Sequence, residues 1–206
     1  MQSPIDLSSR TAKIVRKFQQ LRRNYFPCNA SLENRGHDIL VYWDRYKAEK
    51  VKINGTDYYL QKIHWHSPSE HTIKGKRYSM ELHLVHVSKN YKIAVLGILY
   101  KIGSPDSFLS KLTKNVETVG DNKQEKKIGI MDPREIKIKG KKYFRYIGSL
   151  TIPPCTQGVI WTINKRVQTV SRHQLKTLKA AVHDSAKGNS RPLQPLNHRE
   201  IDLYTP

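Results

Sequence analysis

The chain of 206 residues carries 37 lysines and arginines against 17 aspartates and glutamates, a formal net charge of +20. A chain of this length is typical of one domain, so we expect a single domain over residues 1–206. The sequence contains no run of about 18 apolar residues, which argues against a membrane-spanning helix. It also has no apolar leader near Met1 that would indicate a signal peptide.

The basic surplus makes polyanions plausible contacts, and a simple solvated basic surface is the alternative. The densest basic segments are RKFQQLRR (16–23) and KIKGKK (137–142). No zinc-finger spacing, helix-turn-helix pattern or aromatic RNA-binding strand accompanies them. The sequence therefore argues against nucleic acid as a partner and leaves acidic polymers open.

Strand-forming segments dominate the chain and are separated by turn-forming residues. The predicted strands are DILVYW (38–43), TDYYLQKIHWH (56–66), MELHLVHV (80–87), KIAVLGILY (92–100), REIKIKG (134–140), YFRYIGSLTI (143–152) and GVIWTI (158–163). Apolar residues at helical spacing predict helices over 104–115 and 171–182, the second with Ser171 as N-cap. The short connections predict a mostly antiparallel sheet, because parallel crossovers need about a dozen residues.

Three histidines and a glutamate crowd into the stretch IHWHSPSEH (63–71). Side chains alternate along a strand, so His64 and His66 share one face while Trp65 points to the other. In ELHLVH (81–86), Glu81 and His83 likewise share a face. If the two strands pair, His64, His66 and His83 converge. Three neutral imidazoles with a fourth position open are the ligand set of a catalytic zinc site.

Other interpretations of these histidines are open at this point. A His-x-His pair on a strand is also typical of surface or structural histidines. His86 lies on the opposite face from His83, which favours a hydrogen-bonded core histidine over a ligand. His71 can equally be a structural partner for nearby backbone groups.

The two cysteines, Cys28 and Cys155, can pair or both be free, and they are too few for a cysteine-rich zinc site. Asn29-Ala30-Ser31 and Asn54-Gly55-Thr56 both match the N-glycosylation pattern, which predicts a glycoprotein if the chain is secreted.

Six ordered motifs carry a resemblance to a known family. QSPIDL, NRGHDI, IHWHSPSEHT, ELHLVH, GSLTIPPCTQGVIW and RPLQPLN occur in the order found in α-class carbonic anhydrases. The chain resembles the plant members most, from Gln2 to about Asn197. The resemblance implies a mainly β fold, with a large twisted, mostly antiparallel central sheet and a few peripheral helices. It also implies Zn2+ as the cofactor.

The resemblance assigns roles around the metal. His64, His66 and His83 match the zinc ligands. Glu81 matches the carboxylate that receives the other N–H of His83, which fixes the tautomer of that ligand and raises its basicity.

The remaining catalytic roles also follow from the resemblance. Thr151 matches the threonine that accepts a hydrogen bond from metal-bound solvent and donates its own to an ionised Glu70. His37 matches the proton shuttle, a task that suits an imidazole with a pKa near 6.5. The residues that match the apolar wall for carbon dioxide are Val85, Val95, Leu150, Val159 and Trp161.

The sequence departs from the family pattern at several positions. Lys62 stands where the family usually has a glutamine whose carbonyl accepts a hydrogen bond from the first ligand, here His64. An ammonium only donates hydrogen bonds and cannot take that role. Ile152 replaces a threonine and narrows the pocket. The family's usual N-terminal segment, with a cysteine that bonds the one at Cys155, is missing, so we expect Cys155 to be unpaired, or paired with Cys28 only by rearrangement.

The resemblance implies reversible hydration of carbon dioxide to bicarbonate and a proton, with sulfonamide-type inhibitors as further ligands. A catalytically weak or inactive storage, defence or binding protein of the same fold is the alternative, which Lys62 keeps open. A third hypothesis, supported by charge alone, is a cationic protein that docks to acidic polymers. The family's plant members and the two glycosylation patterns favour a secreted or secretory-route location, or a plastid.

Overall fold

The computed structural model describes residues 1–16, 21–44, 47–119, 125–182 and 188–206, so positions 17–20 of the first basic segment lie outside the described residues. Within them, the strands are β1 (Asp6–Leu7), β2 (Lys13–Val15), β3 (Arg23–Tyr25), β4 (Cys28–Asn34), β5 (Ile39–Trp43), β6 (Glu49–Ile53), β7 (Thr56–His66), β8 (Thr72–Ile73), β9 (Lys76–Arg77), β10 (Met80–Ser88), β11 (Ile93–Ile102), β12 (Glu125–Met131), β13 (Tyr143–Ser149), β14 (Gln157–Asn164), β15 (Gln168–Val170) and β16 (Asp202–Tyr204). The α-helices are α1 (Ser107–Thr118) and α2 (Arg172–Ala180).

One large sheet organises the described chain. Its strand order is β12-β4-β5-β7-β10-β11-β14-β13-β16-β2, with β6 beside β7, β3 beside β6 and β15 beside β11. Most neighbours are antiparallel, whereas β11–β14, β11–β15 and β16–β2 are parallel. A second sheet joins β1, β8 and β9. The mainly β fold with a large, mostly antiparallel sheet and few helices is confirmed. No helix in these residues is long and apolar enough to cross a membrane.

The two faces of the central sheet bury different apolar clusters. On β10, Leu82 and Leu84 belong to the larger cluster, into which both helices also pack. Val85 belongs to the smaller cluster, with Val95 and Trp161 from the neighbouring strands. Because side chains alternate along β10, His83 lies on the same face as Val85, next to the smaller cluster.

A bulge in β7 sets the register at the centre of the sheet. His83 pairs with His64 and Glu81 with His66, and the register shifts between Val85 and His86. Leu60 lies before the shift and Ile63 after it, yet both belong to the larger cluster. Side chains on one face of a regular strand are an even number of positions apart, but Leu60 and Ile63 are three apart. The strand therefore contains one extra residue between them. The bulge thus lets β7 keep Leu60 in the core and still direct its histidines to the opposite face.

One predicted strand is wrong. Residues 134 and 135 belong to a single 3₁₀ turn at Pro133–Glu135, and residues 136–140 form no strand. Ile136 is buried and Ile138 half-buried, and each is followed by an exposed lysine, Lys137 and Lys139. This alternation imitates a strand because the segment lies along the core without pairing to the sheet.

Both predicted helices are present, but α1 begins at Ser107 and not at residue 104. Helix α1 begins after Asp106, whose carboxylate caps Leu109. Pro105 precedes the cap, and a residue before proline is disfavoured in helical conformation. Helix α2 begins as predicted, with Ser171 as N-cap in a capping box with Gln174.

His86 is a core histidine and not a ligand. Its side chain is fully buried, and Nε2 lies 2.6 Å from the Tyr25 hydroxyl, with the two rings stacked. Burial lowers the pKa of His86 to about 3. The folded state therefore holds this imidazole neutral, while the unfolded chain protonates it near pH 6.5.

We expect His86→Gln, which keeps a donor and acceptor for Tyr25, to reduce the acid sensitivity of the fold. Since the folded pKa of His86 is lowered, its neutral state favours folding fully only above about pH 6.5, and stability is lost as pH falls toward 3. From about pH 7 to about pH 5, the wild type should lose about 2 kcal/mol more unfolding free energy than the variant in urea titrations. Equal losses for both proteins would contradict this account of His86.

Candidate metal centre

His64, His66 and His83 converge from β7 and β10 on one buried point. One nitrogen from each ring lies within 4.8 Å of the others. His64 Nε2 and His83 Nδ1 are 3.3 Å apart. Zn–N distances of about 2.0–2.1 Å in a tetrahedral site place donor nitrogens about 3.3 Å apart. The predicted ligand set is therefore brought together at a spacing that fits zinc.

Hydrogen bonds fix the tautomers of two of these histidines. His66 donates from Nδ1 to the backbone carbonyl of Asn189 at 3.0 Å, and His83 donates from Nε2 to Glu81 at 2.9 Å. The inward nitrogens, Nε2 of His66 and Nδ1 of His83, then carry lone pairs. His66 Nε2 is buried and has no hydrogen-bond partner in the described chain. A buried acceptor of this kind is costly unless something fills it, and a metal ion does.

His64 differs from the other two because its outer nitrogen has no partner. Nδ1 of His64 is buried and makes no hydrogen bond within the described residues. Lys62 precedes it by two positions on β7 and lines the same cavity, but its ammonium cannot accept the proton. Burial, then the charges of His66 and His83, lower the pKa of His64 well below its usual value, so the ring stays neutral as a ligand must.

Lys62 is a partly buried cation beside the centre. Burial, reinforced by the nearby Arg35, lowers the pKa of Lys62 from its ordinary value. The sequence-based expectation that Lys62 leaves His64 without its usual acceptor agrees with the unpaired Nδ1 atom.

Glu81 anchors the centre from behind. Its carboxylate accepts from Nε2 of His83 and Nδ1 of His71, at 2.9 and 2.7 Å, and from the backbone amides of Glu70 and His71, at 2.9 and 2.8 Å. Burial alone would raise the pKa of Glu81, but the two histidines lower it well below its usual range. Glu81 therefore remains an ionised acceptor.

His71 serves this network and is not a ligand. Since Nδ1 of His71 donates to Glu81, its Nε2 accepts from the Tyr146 hydroxyl at 2.7 Å. Tyr146 in turn lies 2.9 Å from the Ser3 hydroxyl. His71, Glu81 and His83 also offer three nearby atoms, but these atoms already hydrogen-bond one another. They form a positioning network and not a second metal site.

Glu70 and Thr151 both lie beside the triad. Glu70 is fully buried, and its Oε1 accepts from the backbone amide of Arg191 at 2.9 Å. Its Oε2 has no hydrogen-bond partner in the described chain and lies 3.6 Å from His66 Nε2. Thr151 lines the cavity, but no hydrogen bond joins it to Glu70 among the described residues. The expected bond between them stays a prediction.

A mainly apolar cavity of about 180 Å³ opens onto the triad. Its lining residues are Lys62, His64, His83, Val85, Val87, Ile93, Val95, Leu150, Thr151, Ile152 and Trp161. Of the predicted wall, Val85, Val95, Leu150 and Trp161 line it, whereas Val159 is fully buried behind them in the same cluster. Such a wall suits a small uncharged molecule.

His37 lies outside the residues that line this cavity. Its side chain is 48% exposed, and Nε2 lies 3.6 Å from the buried carboxylate of Asp38. The backbone carbonyl of His37 accepts from the side-chain amide of Asn189 at 2.8 Å, and the same amide donates to the Trp65 carbonyl on β7 at 3.1 Å. The predicted shuttle role stays a prediction.

Sequence reasoning missed Asn189, Tyr146 and the backbone of Arg191. Asn189 holds His66 through its carbonyl, while its side-chain amide bonds Ser67, Trp65 and the loop of His37. No sequence pattern predicts that a backbone carbonyl will accept from a histidine more than a hundred residues away. Both cysteines, Cys28 and Cys155, are free, which agrees with the expectation for Cys155.

The sequence matches the profile of eukaryotic-type carbonic anhydrases over residues 1–205. It is 51% identical to alpha carbonic anhydrase 7 of Arabidopsis thaliana, covering 100% of this chain and 75% of that protein. It is 43% identical to dioscorin dioA3 of Dioscorea japonica, covering 98% of this chain and 75% of that protein.

Two solved structures share the fold. A dioscorin complexed with ascorbate superposes with a TM-score of 0.93 at 42% identity, covering 98% of this chain and 84% of that one. An α-carbonic anhydrase from Thermovibrio ammonificans, in complex with the inhibitor sulfanilamide, superposes with a TM-score of 0.85 at 36% identity. That match covers 99% of this chain and 86% of the other.

We expect Lys62→Gln to strengthen zinc binding, because a glutamine carbonyl can accept from the unpaired Nδ1–H of His64. Loss of such a partner typically costs about 10–100-fold in metal affinity, so its gain should tighten the dissociation constant by a similar factor. Competition with a chelator measures the constant.

Lys62→Met is the matched control, since it removes the same charge and adds no carbonyl acceptor. If methionine tightens zinc binding as much as glutamine, the charge of Lys62 and not the missing hydrogen bond weakens the site. If neither substitution changes the constant, the account of His64 is wrong.

Proposed function

The chain belongs to the eukaryotic-type, or α-class, carbonic anhydrase family, and on this basis we propose that it hydrates carbon dioxide reversibly to bicarbonate and a proton. The observation that carries the proposal is the triad of buried histidines, with two inward nitrogens freed as lone-pair donors by Asn189 and Glu81. His64, His66 and His83 would hold the zinc ion.

Zinc would supply a Lewis acid that lowers the pKa of coordinated water to about 7, a value for which carbonic anhydrase is itself the standard example. Neutral ligands leave the full charge of the ion available for this effect. Burial keeps His64 and His83 neutral by lowering their pKa values, and Glu81 holds the tautomer of His83.

The apolar cavity would place carbon dioxide beside the triad. Val85, Val95 and Trp161 offer surface to a substrate without charge, and they come from three adjacent strands. Trp161 is fixed because its indole N–H donates to the Ser149 carbonyl at 2.9 Å. Ile152 adds a branched side chain where the family usually has threonine, which narrows the space.

Glu70 and Thr151 would orient the reacting solvent. Oε2 of Glu70 is the free oxygen of a carboxylate otherwise held by Arg191, so it can accept the hydroxyl proton of Thr151. A Thr151 hydroxyl that donates to Glu70 can only accept from the solvent, which fixes the direction of the solvent lone pair.

His37 would move the released proton to bulk buffer. Its imidazole is half exposed, and a position between the interior and solvent suits transfer in either direction. The bond from Asn189 to its backbone carbonyl connects its loop to the segment that holds His66.

A second candidate function is a weakly active or inactive binding protein of the same fold, serving storage or defence. The similarity to dioscorin, solved in complex with ascorbate, supports it, as does the unpaired outer nitrogen of His64 next to Lys62. Binding of a sulfonamide to this protein would favour the enzyme instead, since the α-carbonic anhydrase from Thermovibrio ammonificans was solved with sulfanilamide.

We further propose that the chain works in a secretory-route compartment or plastid and carries N-linked glycan. The two glycosylation patterns support this proposal, and both asparagines are exposed. Asn54 occupies the exposed turn between β6 and β7. Fractionation of the source cells to locate the protein, followed by glycosidase treatment and peptide mapping, tests both statements.

We expect His66→Ala to abolish zinc binding and lower carbon dioxide hydration by at least about a thousandfold, because without the metal the water pKa returns to about 15.7. Stopped-flow hydration with and without a sulfonamide, together with zinc analysis of each protein, measures both effects.

His173→Ala is the matched control, since this histidine is 73% exposed on α2, away from the cavity. It should leave zinc content and hydration unchanged. A wild-type protein that holds zinc but shows no sulfonamide-sensitive hydration would favour the binding-protein alternative, and one that binds no zinc would overturn the enzyme proposal.

A further inference from the structure

Arg23, at the end of the first basic segment, contacts the residue just before the second, although more than a hundred residues separate them in the sequence. Arg23, which ends the first segment, donates from Nη1 to the backbone carbonyl of Ile136 at 2.9 Å, immediately before the second segment. Residues of the two segments border a cavity of about 170 Å³. The cavity is lined by Leu21, Arg23, Leu96, Gly97, Ile138, Gly140, Lys141, Lys142, Tyr143, Thr162 and Asn164.

This basic cavity lies on the opposite face of the sheet from the triad. Leu96 and Thr162 line it, whereas their strand neighbours Val95 and Trp161 line the cavity at the triad. Because successive side chains of a strand point to opposite faces, the two cavities are separated by the sheet itself. A ligand of the basic cavity therefore does not contact the metal centre.

The charge around the basic cavity is of one sign. Arg23, Lys141 and Lys142 line it, and none of its lining residues is acidic. Burial lowers the pKa of Arg23, which indicates that water solvates this guanidinium incompletely. Among the described residues, Arg23 contacts the Ile136 carbonyl and the Tyr25 ring and forms no ion pair with a carboxylate. An anion in the cavity would therefore stabilise its charge.

The Thr162 hydroxyl adds one neutral donor to the cavity wall. Arg145 is buried and donates from Nε to the Thr162 hydroxyl at 3.1 Å. With that acceptor position taken, Thr162 can donate its own hydrogen toward a ligand. The amide of Asn164 bonds the carbonyl of Lys139 at 2.9 Å and so holds the basic loop in place at the cavity edge.

We propose that the basic cavity binds a single oxyanion group, either as free phosphate or as a carboxylate carried on an acidic polysaccharide. The shared chemistry is a compact, oxygen-rich anion held by two lysines, Arg23 and the Thr162 hydroxyl. A cavity of about 170 Å³ has room for one anionic group and not for an extended strand of charge.

The test is titration of the zinc-loaded protein with inorganic phosphate and, separately, with a galacturonate oligomer, at constant ionic strength. Constant ionic strength is needed because added salt screens surface charges. Backbone amide shifts in nuclear magnetic resonance report the location, and we expect them at Gly140, Lys141 and Thr162. Tighter binding of the oligomer identifies the polysaccharide as the source of the anion, and tighter binding of phosphate identifies the free ion.

The matched pair of variants is Lys141→Gln/Lys142→Gln and Lys89→Gln/Lys92→Gln. All four lysines are exposed, so both variants should fold and both lose the same charge. The first should weaken anion binding by about tenfold or more, and the second should not. Equal affinities for the two variants, amide shifts only around the histidine triad, or binding of neither ligand would overturn the proposal.

Discussion

Glu81 is a fully buried carboxylate that receives hydrogen bonds from His71, His83 and the backbone amides of residues 70 and 71. A buried charge is tolerated only when its oxygens are fully hydrogen-bonded, and here they are. These bonds join β10 to the loop after β7 and, through Tyr146, to β13. The position of the metal-facing nitrogen of His83 and the position of Glu70 therefore depend on one side chain.

The bulge in the pairing of β7 with β10 also determines the position of the metal centre. It aligns His64 with His83 and places both on the face of the smaller cluster, while Leu60, Ile63 and Leu84 belong to the larger one. Alternation on the next strands gives the sheet two separate cavities, one at the triad and one between the basic segments. A single sheet can thus present apolar surface to a neutral gas on one face and cations to an anion on the other.

Lys62 is the residue that fits the proposed activity least, because its ammonium cannot accept a hydrogen bond from His64. The other two ligands have outer hydrogen-bond partners, in Asn189 and Glu81, and His64 does not. Two of the three expected ligands are therefore held in orientation by an outer hydrogen bond, and the third is not. The enzyme and binding-protein alternatives differ mainly in whether two outer hydrogen bonds give the site enough zinc affinity for catalysis.

The sequence alone determined features that depend on local pattern: the limits of β7, the start of α2 at Ser171, and the face shared by the triad histidines. These follow from alternation and capping, which act over a few residues. Tertiary structure decided the rest. Residues 134–140 alternate like a strand but find no pairing partner, and Val159 lies behind the cavity wall instead of in it. The contacts of Asn189 and the bond from Arg23 to Ile136 join parts of the chain that only folding brings together, through backbone carbonyls that carry no sequence signal.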